Sequence, residues 1–164
     1  MTGVWLAWSG PAASASLSAR DVQIVAKILG FLDPPPAGGV VAVIYAAHDA
    51  ASKRDAEAIA GMFGGGLASG GGVLRARTVA AGALGDGGGY AAIILAAGAE
   101  REGGAVAGVH GVLSITAADA LVRSGRCVMA VHSQPRVDIT ISRMAARAAG
   151  VNFTAAFGML VHEE

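Results

Sequence analysis

VVAVIYA (Val40–Ala46) is apolar at every position and rich in β-branched residues. A strand of that kind cannot offer one face to water, so it requires packed structure on both sides of its sheet. AAIILAA (Ala91–Ala97) makes the same demand, and GVLSITA (Gly111–Ala117) adds a third strand. Helical segments lie between them. The pattern specifies a single α/β domain: a mixed β-sheet of about six strands with helices on both faces.

The helical segments carry their own punctuation. SARDVQIVAKILGFLD opens with Ser18 and, three residues on, Asp21, a capping box with Asp in place of the usual Glu. Val22, Val25, Ala26, Leu29 and Leu32 then share one face, and Pro34, Pro35 and Pro36 are expected to stop the helix. ASKRDAEAIAGMF has a polar face (Lys53, Arg54, Glu57) and an apolar one (Ile59, Met62, Phe63), and ends at Gly64–Gly66. VLRARTV reads as a strand near an edge, with Arg75 and Arg77 on one face. Thr116 and Asp119 form a T-x-x-D start for the helix ADALVRS, and Gly125 suits the left-handed position after it. CVMAVHS and RVDITIS, around Gln134-Pro135, read as an antiparallel hairpin. The glycine patches GGGLASGGG, GDGGG and GGAVAG read as loops.

Charge narrows the function classes. Twelve basic residues balance twelve acidic ones, and Lys27 and Lys53 are the only lysines. Nucleic-acid binding needs clustered Lys and Arg, so none is expected. No apolar stretch approaches the roughly 18–20 residues of a membrane span, so no membrane insertion is expected either. The lone Cys127 excludes an internal disulfide and a CxxC site; within CVMAV it reads as a buried small hydrophobe, the alternative being a reactive thiol or an intermolecular bridge.

Motifs for chemistry are sparse. GGGLASGGG follows a helix and precedes a strand, which is the wrong place for a phosphate-binding loop. His48, His110, His132 and His162 lack metal-ligand spacing, so no metal is expected, and no cofactor is indicated. No serine sits in a nucleophile elbow. Glu100 and Glu102, in AEREGG, read as a solvated loop. The best placed polar pair is His48-Asp49, between a buried strand and a helix, the edge at which α/β sheets bind ligands. With Gly98 and Thr116 it outlines a candidate ligand crevice; the plainer alternative makes Asp49 a helix cap and His48 a solvated residue.

From DVQIVAKILGFL onward the sequence resembles the YfiR-like family of exported bacterial regulators. VVAVIYAAHDAASKRDAEAIAGMF matches its first strand-helix unit, YAAIILAA its buried strand and VLSITAADALVRSG its "LtVsD"-like strand and helix. The family's closing signature is matched by Gly125, CVMAV, VDITIS, MAARAAGV and FTAAFGML. Ser142 stands where the signature has asparagine, and the family's paired cysteines are missing. The resemblance implies a non-enzymatic periplasmic protein that restrains the sensor domain of a membrane-bound diguanylate cyclase, or a sensor kinase, and so lowers cyclic-di-GMP signalling and biofilm formation. The alternative is a small-ligand-binding domain of a transport or sensor system, periplasmic or cytoplasmic.

Two segments bear on that expectation. Residues 1–17, with VWLAW followed by AASASLSA, read as a leader: a degenerate export signal or a flexible extension ahead of a domain at 18–164. The closing tail is expected to start a helix at Ser142, break it at Gly150 and cap a second helix with Asn152 or Thr154. It would fold Val151, Phe153, Phe157, Met159 and Leu160 onto the sheet. Those residues are either all core, or Phe153, Phe157 and Leu160 form part of a partner or homodimer contact.

Overall fold

β1 (Gly39–Tyr45) lies within an eight-stranded sheet of order β2-β3-β1-β4-β5-β6-β7-β8. The computed structural model describes residues 15–102, 106, 109–159 and 161–163. The other strands are β2 (Leu67–Ser69), β3 (Gly72–Ala80), β4 (Ala92–Leu95), β5 (Leu113–Thr116), β6 (Met129–His132), β7 (Asp138–Ile141) and β8 (His162–Glu163). β3, β1, β4, β5 and β6 run parallel; β2 and β7 are antiparallel to β3 and β6, and β8 runs parallel to β7. The mixed α/β sheet expected from the sequence is therefore present. Its two additional strands are a three-residue piece at one edge and a two-residue piece at the other.

The continuous apolar runs have the expected cause. Val41 and Val43 of β1 pack into one core with α1 (Ala19–Ile28) and α2 (Ala50–Met62), whereas Ala42 and Ile44 pack into a second core on the opposite face. Ile94 and Ile93 of β4 divide in the same way. The second core is closed by Leu121 and Val122 of α3 (Asp119–Arg123) and by Val106 and Val109. α4 (Arg143–Ala149) and α5 (Ala155–Gly158) return to the first face.

Several local signals operate as read. Ser18 and Asp21 form the reciprocal capping box, and Ser142 caps α4 by accepting the Ala145 amide. Gly125 and Gly150 adopt left-handed backbone, φ 71° and 66°. Others are overridden. α1 ends at Ile28 in a 3-10 turn (Leu29–Phe31), ahead of the prolines. The patch GGGLASGGG contains β2, because antiparallel pairing sets Leu67, Ala68 and Ser69 opposite Leu74, Val73 and Gly72. Thr116 and Asp119 form no cap: the Thr116 hydroxyl accepts the Ala118 amide, and Asp119 turns to His132.

Leu17 is 2% exposed and belongs to the first core, so the packed domain takes in a residue assigned to the leader; Trp5 and Trp8 lie outside the described residues. The tail is divided. Phe157 is 2% exposed and stacks on Phe31 and Phe153, with ring centroids 5.5 and 4.9 Å away. Phe157 therefore supplies core and cannot serve as a surface contact. Phe153 is half-buried, and Leu160 lies outside the described residues. Met159, expected on the sheet, is 86% exposed. Thr154 occupies the N-cap position of α5 without a side-chain cap bond. Backbone bonds Asp33 N to Asn152 O (2.9 Å) and Thr154 N to Phe31 O (2.8 Å) frame a Leu32–Phe153 bridge, lacing the turn after α1 to the tail.

Candidate functional site

The chain leaves β1 on one side towards β3, through α2, and reaches β4 on the other side. Between β1 and β4 the connections therefore part to opposite faces, which opens a crevice at the carboxyl ends of the two strands. His48 and Asp49 follow β1, and Gly98 follows β4, so the switch point collects three of the four sequence candidates. A cleft of about 390 Å³ lies there, lined by His48, Asp49, Gly98, Glu100, Arg101 and Glu102 together with Ala46 and Ala47. Thr116 is not part of it. It is 2% exposed at the end of β5, bound to its own turn.

The first turn of α2 holds the cleft floor. Asp49 Oδ1 accepts the amides of Ala51 (2.9 Å) and Ser52 (3.1 Å), satisfying two otherwise unpaired donors of the helix start. The Ser52 hydroxyl reaches back to accept the Ala46 amide at 3.1 Å. One turn on, Asp55 Oδ2 accepts the Ala97 amide at 2.7 Å, and its other oxygen accepts the Ser16 hydroxyl. Ser52 and Asp55 thus fasten both strand exits to a single helix, whose first turn Asp49 caps.

Gly98 is fixed by two independent requirements. Its φ is +85°, and a Cβ there would sit 2.9 Å from Asp49 Oδ2 and 3.1 Å from the Ser52 Cβ. Only glycine lets the β4 exit pass this close to the helix start. His48 is exposed, Glu100 and Glu102 are half-buried, and Arg101 is exposed on the same 3-10 turn (Ala99–Glu102). The rim thus mixes both signs of charge around a glycine-lined floor. This suits a small polar ligand carrying both donors and acceptors.

Glu100, Arg101 and Glu102 were not singled out by the sequence, where their charge suggested only solvent. A usable signal was present: AEREGG follows a buried strand just as His48-Asp49 does. A second cleft, of about 450 Å³, lies at the β6–β7 hairpin, where His132 Nε2 meets Asp119 Oδ1 at 2.9 Å beside Gln134, Arg136 and Asp138. Cys127 lies in the second core, away from both clefts, and burial pushes its thiol up to about 11. Among the described residues no three of His, Cys, Asp and Glu gather to hold a metal ion, and no helix is long and apolar enough to cross a membrane.

No protein-family model matches the chain, and a search of curated proteins finds no match.

Proposed function

We propose that the chain is a regulatory binding module of the YfiR-like kind. It restrains a membrane-bound diguanylate cyclase by engaging the sensor domain on the periplasmic side, and catalyses no reaction itself. The observation that carries this reading is the closing segment: Gly125, β6, β7, α4, Gly150 and α5 follow in the order that the resemblance implies. Polar placement supports it too, since Ser18, Asp49, Ser52, Asp55, Ser114 and Ser142 all accept backbone amides and shape the scaffold.

Deleting the gene should raise cyclic-di-GMP and surface attachment, and the tagged chain should co-purify the cyclase from solubilised membranes. Unchanged cyclic-di-GMP, or no cyclase in the eluate, refutes the role.

The switch-point cleft favours a second reading, a domain that binds a small polar ligand. A thermal-shift screen of zwitterionic metabolites and cell-wall fragments tests it. His48→Ala and Arg101→Ala should each abolish a shift seen with the wild type, because neither side chain bonds to the scaffold. Asp49→Ala is the wrong probe, since it also removes a helix cap. A shift that survives both variants places the ligand elsewhere.

A further inference from the structure

A parallel crossover in a doubly wound sheet ordinarily lays a helix on the sheet face it crosses. The β3-to-β4 crossover does not. Residues 81–91 form one 3-10 turn (Ala81–Ala83) and no α-helix. Ala81, Leu84 and Tyr90 of the crossover pack into the second core with Ala42, Ile44 and Val79, and the first half of β3 stays outside that core. Leu74 and Ala76 pack into the α1–α2 core, so Val73, Arg75 and Arg77 project from the opposite face by strand alternation. Val73 is 51% exposed and both arginines are exposed. The register sets exposed Ala68 of β2 beside Val73 and half-buried Val40 of β1 beside Arg75.

We propose that the uncovered part of this face, formed by Ala68 of β2, Val73, Arg75 and Arg77 of β3 and Val40 at the start of β1, is a protein-docking surface. Its occupant is an amphipathic helix of a partner with acidic residues one turn apart, seated where the crossover helix is missing. Arg75 and Arg77 are about 6.7 Å apart along the strand, and residues i and i+4 of a helix are about 6 Å apart along its axis. Val73, Ala68 and Val40 supply the apolar floor. Arg77 is already held in place, with Nη2 donating to Tyr90 Oη at 2.5 Å and its guanidinium 5.4 Å from that ring's centroid. Among the described residues no carboxylate pairs with either arginine.

Charge separates this occupant from its rivals. Among the described residues no α-helix of a second copy carries acidic residues at i and i+4: α1 has only the buried Asp21, α2 has Asp55 and Glu57 two positions apart beside Lys53 and Arg54, α3 has Asp119 alone, and α4 carries Arg143 and Arg147. Residues 1–14 contain no acid at all, and a chain with zero net charge is poorly suited to nucleic acid or anionic lipid. The inference rests on the regulatory reading only in assigning the helix to the sensor domain.

The test places the photo-crosslinker p-benzoylphenylalanine at Val73 of the full chain in its native host and maps the crosslinked peptide by mass spectrometry. The expected product joins position 73 to a helical segment of another polypeptide with acidic residues at i and i+4. Arg75→Glu with Arg77→Glu should lower its yield at least about tenfold, because like charges then face each other. Should that pair lower the melting temperature, Arg75→Gln alone should still give about a threefold fall. Crosslinking to a second copy, to residues 1–14, to nothing, or to a segment indifferent to charge overturns the surface. An acidic helix from a protein other than a cyclase keeps the surface and removes the cyclase reading. A cyclase that co-purifies without crosslinking at 73 does the reverse.

Discussion

The Asp55 carboxylate accepts the Ala97 amide at 2.7 Å, so α2 holds the end of β4 as well as the strand that precedes it. A hydrogen bond to a charged acceptor contributes about 1.5–3 kcal/mol. Asp55→Ala should lower stability by that amount in urea unfolding, with Asp55→Asn recovering part of the loss. The amide resonances of Ala97 and Gly98 should move in both variants.

Gly98→Ala should cost at least about 2 kcal/mol, from left-handed strain together with the displacement of Asp49 and Ser52. Gly111 is the control. Its φ is +76° with open space where a Cβ would stand, so Gly111→Ala should cost only about 1 kcal/mol. Equal costs at the two positions would show that the helix start does not constrain the β4 exit.

Cys127 is raised from 9.0 to about 11, by burial first and against smaller opposing hydrogen bonds from Ser114 and the backbone. Between those values the unfolded chain has lost the thiol proton that the folded chain keeps. Stability from this group is therefore complete below pH 9 and declines as pH rises towards 11, by about 2–3 kcal/mol. Urea titrations at pH 8, 9, 10 and 11 should show that decline, and Cys127→Ala should flatten it. At pH 8 the folded protein should leave Ellman's reagent unreacted until denaturant is added.

Phe157→Ala should destabilise by about 3–5 kcal/mol, since it removes a buried ring stacked between two others. Met159→Ala should change stability by less than about 0.5 kcal/mol. Comparable losses would mean that the tail packs as a unit.

That contrast shows what the sequence conceals. Phe157 and Met159 look alike as apolar residues, but on a helix two positions rotate about 200°, so both cannot face one sheet. β1 and β4 were legible because each residue's surroundings follow from its own strand. β2 was not, since Leu67-Ala68-Ser69 between glycines becomes a strand only by pairing with β3. His48 and Asp49 announced themselves at a strand-helix junction. Glu100, Arg101 and Glu102 join them because β1 and β4 are parallel neighbours, a long-range fact that local composition does not carry. At Asp119 the local cap spacing yielded to a distant partner, His132.

The lacing of Phe31, Leu32 and Asp33 to Asn152, Phe153 and Thr154 bears on how the chain comes into being. On the ribosome the first partners emerge roughly 10 s before the second, at ordinary elongation speed. Until then Phe31 lacks the ring it stacks on, and two backbone groups beside it lack their mates. The nascent polypeptide should therefore remain open to chaperones until residues 152–154 have left the ribosome, and acquire protease resistance in a single late step.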